Sequence, residues 1–279
     1  MLPKDLSWRF PTSLEEAEDL LKIPGYYLHG GGTRILKTQP KSIAGLIDIS
    51  GLELDYIHLN NGIFSIGATA TFSDIVEYSR RHKKLLLLGK ALSQAAATPL
   101  RNRITVGGSL KDFPIWSSLY APLIAQNAKI EIIVNGNNFA LPVEEYVISD
   151  IHKGKHIITR LMIEDKHNAL EDVKRFSLLR FEYPLFTVAA SLETKKNEIE
   201  DARIVITGVK TRFKRFKSAE NVLIGKQLSP ELAEKAEKHF NPKFVSDYKY
   251  SAEYKENTAR VFLTDLLDGL CGGKNESAI

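Results

Sequence analysis

Leu28-His29-Gly30-Gly31-Gly32-Thr33-Arg34-Ile35-Leu36 is the stretch that decides how this chain is read. It runs from an apolar residue through three glycines to a hydroxyl residue. A second stretch of the same kind lies further on, Arg101-Asn102-Arg103-Ile104-Thr105-Val106-Gly107-Gly108-Ser109-Leu110. Glycine puts no Cβ between a backbone N–H and a ligand. Successive N–H groups in such turns make a concave anion site. Two of them in one chain suggest an extended ligand held twice, and a dinucleotide diphosphate is the natural candidate.

Neither stretch is a Rossmann fingerprint, which needs G-x-G-x-x-G opening a helix and an acidic residue roughly 20 positions on. Here the glycines are contiguous. Asp48 lies at a tolerable distance, but Thr33-Arg34-Ile35-Leu36-Lys37 soon meets Pro40. No Gly-Lys-Ser/Thr occurs, so a P-loop is excluded. Each glycine run taken alone reads equally well as a tight turn.

At 43% hydrophobic and 26% charged residues the composition is globular, and 279 residues allow one large domain or two smaller ones. The longest apolar runs, such as Leu85–Leu88, are far too short for a membrane span. The opening Met-Leu-Pro-Lys-Asp-Leu-Ser-Trp carries no charged-then-apolar leader, so no secretory signal is expected. The single cysteine, Cys271, excludes an iron–sulfur cluster or structural zinc held on this chain's own thiolates, and it excludes an internal disulfide. A reducing, cytoplasmic setting agrees with that. His152 and His156 flank the turn signal Lys153-Gly154-Lys155, and no metal site is expected there. The basic stretch Lys210-Thr211-Arg212-Phe213-Lys214-Arg215-Phe216-Lys217 admits three readings: a lysine-guarded strand edge, a docking surface for an acidic protein, or a nucleic-acid contact.

Ser13 and Glu16 predict a capping box for a helix over 14–22, ended by Pro24-Gly25. Strands are expected at 26–29 and 43–48, with a hairpin over 57–66 around Asn60-Asn61-Gly62. Helices follow from Thr71 or Ser73 to His82 and over 85–97, broken by Pro99, after which the chain enters the second glycine loop. A helix over 115–126, a strand over 129–134, a turn at Asn135-Gly136-Asn137 and strands over 142–146 and 156–163 come next. After a polar linker at 165–171, strands over 174–179, 187–194 and 201–207 surround a turn at Asn197. Helices over 218–223, 229–239 and 254–270 close the chain before Gly272-Gly273. The pattern is mixed α+β.

The pair of stretches resembles A-G-G-T-D-L-L followed by R-N-x-x-T-I-G-G-N, the pattern of the flavoprotein (medium) subunits of molybdenum hydroxylases, the xanthine dehydrogenase and carbon monoxide dehydrogenase groups. The likeness continues in order along nearly the whole chain. Arg175-Phe176-Ser177-Leu178-Leu179-Arg180-Phe181-Glu182-Tyr183-Pro184-Leu185 resembles the segment entering the family's C-terminal domain. Ala219-Glu220-Asn221-Val222-Leu223-Ile224-Gly225 resembles its A-E-x-x-L-x-G helix. Ser246-Asp247 and Ser251-Ala252-Glu253-Tyr254-Lys255 resemble its closing S-D and S-A-x-Y-R. The resemblance implies an α+β fold. It has a two-part FAD-binding domain of the vanillyl-alcohol oxidase/UDP-N-acetylenolpyruvoylglucosamine reductase type over residues 1–165, as two α/β subdomains. A C-terminal α+β domain spans residues 172–273.

It also implies a site. Gly30, Gly31, Gly32, Thr33 and Arg34 fall on the loop that wraps the FAD diphosphate. Arg34 stands where an acidic or amide residue is usual, and it can help neutralise the diphosphate or face elsewhere. Thr105, Gly107, Gly108 and Ser109 match T-I-G-G-N. Counting on without gaps, Ser118 stands where the family places an aspartate for ribityl or ribose hydroxyls, with Asp112 nearby. Trp116 reads as core or as a flavin neighbour, and Phe176 stands where some relatives carry a lysine near the ring. Ile158 matches an apolar position against the isoalloxazine. His29 precedes the first loop, but the resembling group holds its FAD non-covalently. No catalytic acid, base or nucleophile is expected, because the reactive chemistry belongs to the cofactor.

The first functional reading is an FAD-binding electron-transfer subunit. Electrons would come from iron–sulfur clusters on one partner, originating at a molybdopterin-binding subunit, and would leave through FAD to NAD or another acceptor. Two alternatives stay open: a stand-alone FAD-dependent oxidoreductase, or a non-enzymatic assembly subunit whose flavin site has degenerated at Arg34, Ser109 and Ser118. Nucleic acid and membrane are not expected as partners.

Overall fold

The computed structural model describes residues 5–166 and 168–271. The Gly272-Gly273 end and the first four residues of the opening stretch lie outside them. In chain order the elements are β1 (Ser7–Arg9), α1 (Leu14–Lys22), β2 (Tyr26–His29), α2 (Thr33–Thr38), β3 (Gly45–Asp48), β4 (Ile57–Asn60), β5 (Ile63–Gly67), α3 (Phe72–Ser79), α4 (Leu86–Ser93), α5 (Thr98–Arg101), α6 (Val106–Asp112) and α7 (Tyr120–Ala125). There follow β6 (Lys129–Val134), β7 (Asn137–Pro142), α8 (Val143–Ile148), β8 (Ile157–Glu164), β9 (Ala169–Phe176), β10 (Phe186–Lys195), β11 (Glu198–Val209), β12 (Arg212–Arg215), α9 (Lys217–Leu223), α10 (Pro230–Glu237) and α11 (Ala252–Cys271). The mixed α+β expectation holds.

The chain forms two compact units. The first takes the described residues up to Tyr78, with Ala97–Phe113 and Asn127–Glu164. The second takes Ser79–Ala96, Pro114–Gln126 and the described residues from Asp165 onward.

Two sheets build the first unit. One is parallel, in the order β1-β3-β2. Alternation along β3 sends successive side chains to opposite faces. Ile47 joins Ala17 of α1 in one cluster, while Leu46 joins Ile35 of α2 in another. The helices therefore cover the two faces, as parallel sheets require. The other sheet is antiparallel, in the order β4-β5-β8-β6-β7. Its Phe64, Ile66, Ile130, Ile132, Leu161 and Ile163 are buried. The β4–β5 turn has positive φ at both Asn61 and Gly62, the geometry that the Asn-Gly signal promises. Asn135-Gly136 repeats it between β6 and β7.

The second unit is an antiparallel sheet in the order β12-β11-β10-β9. Val188, Ala190, Ile204 and Ile206 form one core with Leu263, Leu266 and Leu267 of α11 and Phe240 after α10. The other side of the sheet is not bare. α7 lies on β10 and β11, and α4 on β9. Thr207 donates to the Ser117 carbonyl at 3.1 Å, and Gln126 and Ser191 both donate to the Glu171 carboxylate, at 3.0 and 2.7 Å. Lys90 pairs with Asp172. Burial opposes ionisation of Glu171 and raises its pKa, against the two hydrogen bonds and the lysines near it. Phe176 packs on Phe186 and Phe262, so it is a core residue of this unit. Trp116 packs on Tyr183, with ring centroids 3.8 Å apart and the planes tilted by 30°. The basic stretch lies on the edge strand. Phe216 is buried on Phe240 while Phe213 is half-buried, and Arg215 is bidentate on the buried Glu220.

Several expectations shift. The residues 142–146 are not a strand: β7 ends at Pro142 and α8 begins. Glu144 and Glu145 favour the start of a helix, and Val143, Tyr146 and Val147 are buried at helical spacing. The helix expected over 115–126 is only α7, because Pro122 must sit in a first turn or clash with the carbonyl four residues back. For the same reason Pro99 starts α5 rather than ending its predecessor. The capping box is displaced. Ser13 accepts from the Glu16 amide at 3.2 Å, but the Glu16 carboxylate takes the amide and hydroxyl of Thr12, one residue early. The second glycine stretch is not a loop but the first turn of α6, capped by Thr105.

Candidate functional site

β2 ends at His29 and delivers Gly30–Gly32 directly onto α2. Gly32 has φ +72°, a left-handed conformation at which a side chain would be strained. A Cβ there would also stand 2.7 Å from Nε2 of His29. The imidazole is thus tucked beneath the loop. Its Nδ1 lies 3.4 Å from Asp48, and Trp8 meets the ring edge-on. Burial opposes ionisation of Asp48, but the hydrogen bond from Ser50 and the neighbouring His29 outweigh it and hold the carboxyl below its usual range.

The two glycine stretches meet in space. Gly31 lies so close to the Arg103 carbonyl that a Cβ would sit 1.6 Å from it, and Gly30 is within van der Waals reach of the Thr105 side chain. The Arg103 guanidinium returns to donate to the Gly31 carbonyl, at 3.2 and 3.4 Å. Arg34 of α2 pairs with Asp112 at the end of α6. The glycine at 107 is likewise demanded by protein: a Cβ would meet Ala68 at 2.9 Å. Close packing of chain on chain, rather than ligand approach alone, fixes Gly31 and Gly107.

The amides of the two stretches differ. In the second they are spent. Val106 and Gly107 donate to the carbonyls of Ala70 and Ala68, Ser109 to that of Thr105, and Gly108 to the Thr105 hydroxyl. In the first, no acceptor among the described residues takes the amides of Gly30, Gly31, Gly32, Thr33 or Arg34. Five successive uncommitted donors are what an anion-binding turn requires. From Gly107 the network continues through Ala68, whose amide donates to Thr159, to β8, where Ile158 is 6% exposed.

Beside this lies a buried polar group. Lys111 donates to the carbonyls of His152 and Gly154. Burial, and then the charge of Arg34, lower its ammonium to about 8. Tyr146 and His156 share a 2.7 Å hydrogen bond. Burial, followed by the charges of Lys111 and His152, lowers His156 to about 4, and burial raises the Tyr146 phenol.

Ten of the residues singled out in the sequence, from Gly30 to Arg34, with Thr105, Gly107, Gly108, Ser109 and Ile158, therefore belong to the first unit. Ser118 belongs to the second, where it is buried. Asp112, close to Ser118 in sequence, is engaged by Arg34. Sequence reasoning passed over Arg103 and Lys111. The clue to Arg103 was its place two residues before Thr105, on the segment that packs against Gly31.

Comparison with known proteins agrees with the geometry. Residues 4–163 match the family described as the FAD binding domain in molybdopterin dehydrogenase, and residues 176–270 the CO dehydrogenase flavoprotein C-terminal domain. The glyceraldehyde dehydrogenase medium chain of Sulfolobus acidocaldarius is 27% identical over 94% of this chain and 96% of its own. The nicotine 6-hydroxylase medium subunit of Paenarthrobacter nicotinovorans is 28% identical over 88% and 90%. Carbon monoxide dehydrogenase from Hydrogenophaga pseudoflava shares the fold, with TM-score 0.87 and 20% identity over 98% of this chain and 99% of that one.

Proposed function

The chain belongs to the family of FAD-binding subunits of molybdenum hydroxylases, which are oxidoreductases, and on that premise we propose the route its electrons take. They arrive from iron–sulfur clusters on a partner subunit, which is fed by a molybdopterin-binding subunit. They leave through FAD to NAD or another acceptor. The observation that carries the reading is the run of uncommitted amides from Gly30 to Arg34.

FAD bound there supplies a centre that accepts and releases electrons. This chain's residues bind and orient it. Gly30, Gly31, Gly32 and Thr33 offer amides to the diphosphate, and Thr33 adds a hydroxyl. Thr105, Gly107, Gly108 and Ser109 form the packed support behind that loop. Ile158 offers an apolar contact for the ring. The single cysteine supports the division of labour, since the clusters must ride on another chain. It also supports placing the complex in the cytoplasm.

Reconstitution tests the route. Mixed with its iron–sulfur and molybdopterin partners, the chain should form a stable complex in which substrate bleaches the flavin and NAD restores its colour. Efficient substrate oxidation by the isolated chain would favour a stand-alone oxidoreductase instead. A complex that assembles without flavin would favour the assembly subunit.

A further inference from the structure

Two arginines stand at the first glycine loop, and their surroundings differ. Arg34, the one the sequence nominates for the diphosphate, pairs with the Asp112 carboxylate. Its charge is balanced within the fold. Arg103 meets only the Gly31 carbonyl, through Nη2 at 3.2 Å and Nε at 3.4 Å, and no carboxylate among the described residues pairs with it. A guanidinium carries five N–H donors in a fixed fork, so several remain for a second acceptor. The side chain is exposed, and its backbone carbonyl lies against Gly31, so it wraps the peptide whose neighbouring amides are uncommitted. Lys111, the other nearby cation, spends its ammonium on two carbonyls.

We propose that Arg103, not Arg34, is the cation that binds the diphosphate, and that Arg34 with Asp112 is a strut holding α2 to α6. This rests on the reading that FAD lies on the Gly30–Arg34 amides. Arg103 would accept no proton and move none. It would give the anion a bidentate, charge-assisted contact while staying anchored to Gly31.

Equilibrium binding of FAD, ADP and riboflavin to the full chain stripped of flavin, over a series of salt concentrations, tests it. Arg103→Gln should weaken FAD and ADP by about tenfold or more and flatten their salt dependence, and leave riboflavin, which has no phosphate, unchanged. Arg103→Lys should keep the salt dependence but weaken FAD and ADP because the fork is lost, and Arg103→Met, which keeps the aliphatic stem without the charge, decides the matter if Arg103→Gln does not fold. Arg34→Gln should lower thermal stability yet keep the salt dependence of ADP binding. The proposal is overturned if Arg34→Gln flattens that dependence, or if Arg103→Gln, or Arg103→Met in its place, leaves both it and the affinity at the wild-type level. Wild-type protein that binds neither FAD nor ADP would instead remove the reading beneath it.

Discussion

At the scale of single residues, the glycines separate two demands that a sequence motif merges. Gly31 would drive a Cβ into the Arg103 backbone, whereas Gly30 meets Thr105 only at ordinary contact distance. Gly31→Ala should therefore cost a few kcal/mol of stability, on the order seen for forced backbone shifts. Gly30→Ala should change stability by less than about 1 kcal/mol. Parallel urea titrations compare them, and equal losses would sink the distinction. A second prediction concerns His156, whose pKa is lowered from 6.5 to about 4. The folded state resists the proton, so between those values the unfolded chain binds more of it and stability rises with pH. The stabilisation is complete above pH 6.5 and is lost as pH falls towards 4, a change of roughly 3 kcal/mol at most. Urea midpoints across that window should slope upward with pH, and His156→Gln should flatten the slope. A third follows from His29 lying beneath Gly32 with Asp48 at its Nδ1. FAD should be held non-covalently, and acid precipitation should send the yellow colour into the supernatant rather than the pellet.

Between residues and the whole lie the elements, and their legibility follows from local chemistry. The Asn-Gly turns, the Ser13 cap and the amphipathic helices were plain because each depends on neighbours in sequence. What was hidden depended on partners far away. Thr105 reads as one more loop hydroxyl until its side chain is seen accepting the Gly108 amide at 3.3 Å, and only then do Gly107 and Gly108 become helix rather than loop. The helix at Val143–Ile148 was legible locally, because Val143, Tyr146 and Val147 stand at helical spacing around Glu144-Glu145, and the strand expected over 142–146 went against that signal. The pairing of Arg34 with Asp112 had no signal at all. The cap is testable: Thr105→Ala should cost about 1 kcal/mol, Thr105→Ser much less, by thermal melting. A Thr105→Ala variant as stable as wild type would mean that α6 needs no side-chain cap.

For the molecule as a whole, the division into units cuts across the division suggested by family likeness. Ser79–Ala96 and Pro114–Gln126 precede residue 165, yet they belong to the second unit and cover one side of its sheet through α4 and α7. A fragment over residues 165–279 should therefore lack the covering of β9, β10 and β11 and leave Glu171 without Gln126. Circular dichroism and limited proteolysis should find it unfolded or aggregated, and a sharp cooperative melt would contradict this. The arrangement also gives the protein a pair of built-in lamps. Its two tryptophans fall one in each unit, Trp8 edge-on to His29 beneath the glycine loop and Trp116 packed on Tyr183. Replacing either with phenylalanine leaves one emitter, so each unit's unfolding can be watched separately by fluorescence. Flavin absorbs where indole emits, and the Trp8 glow should dim as FAD occupies the loop beside it.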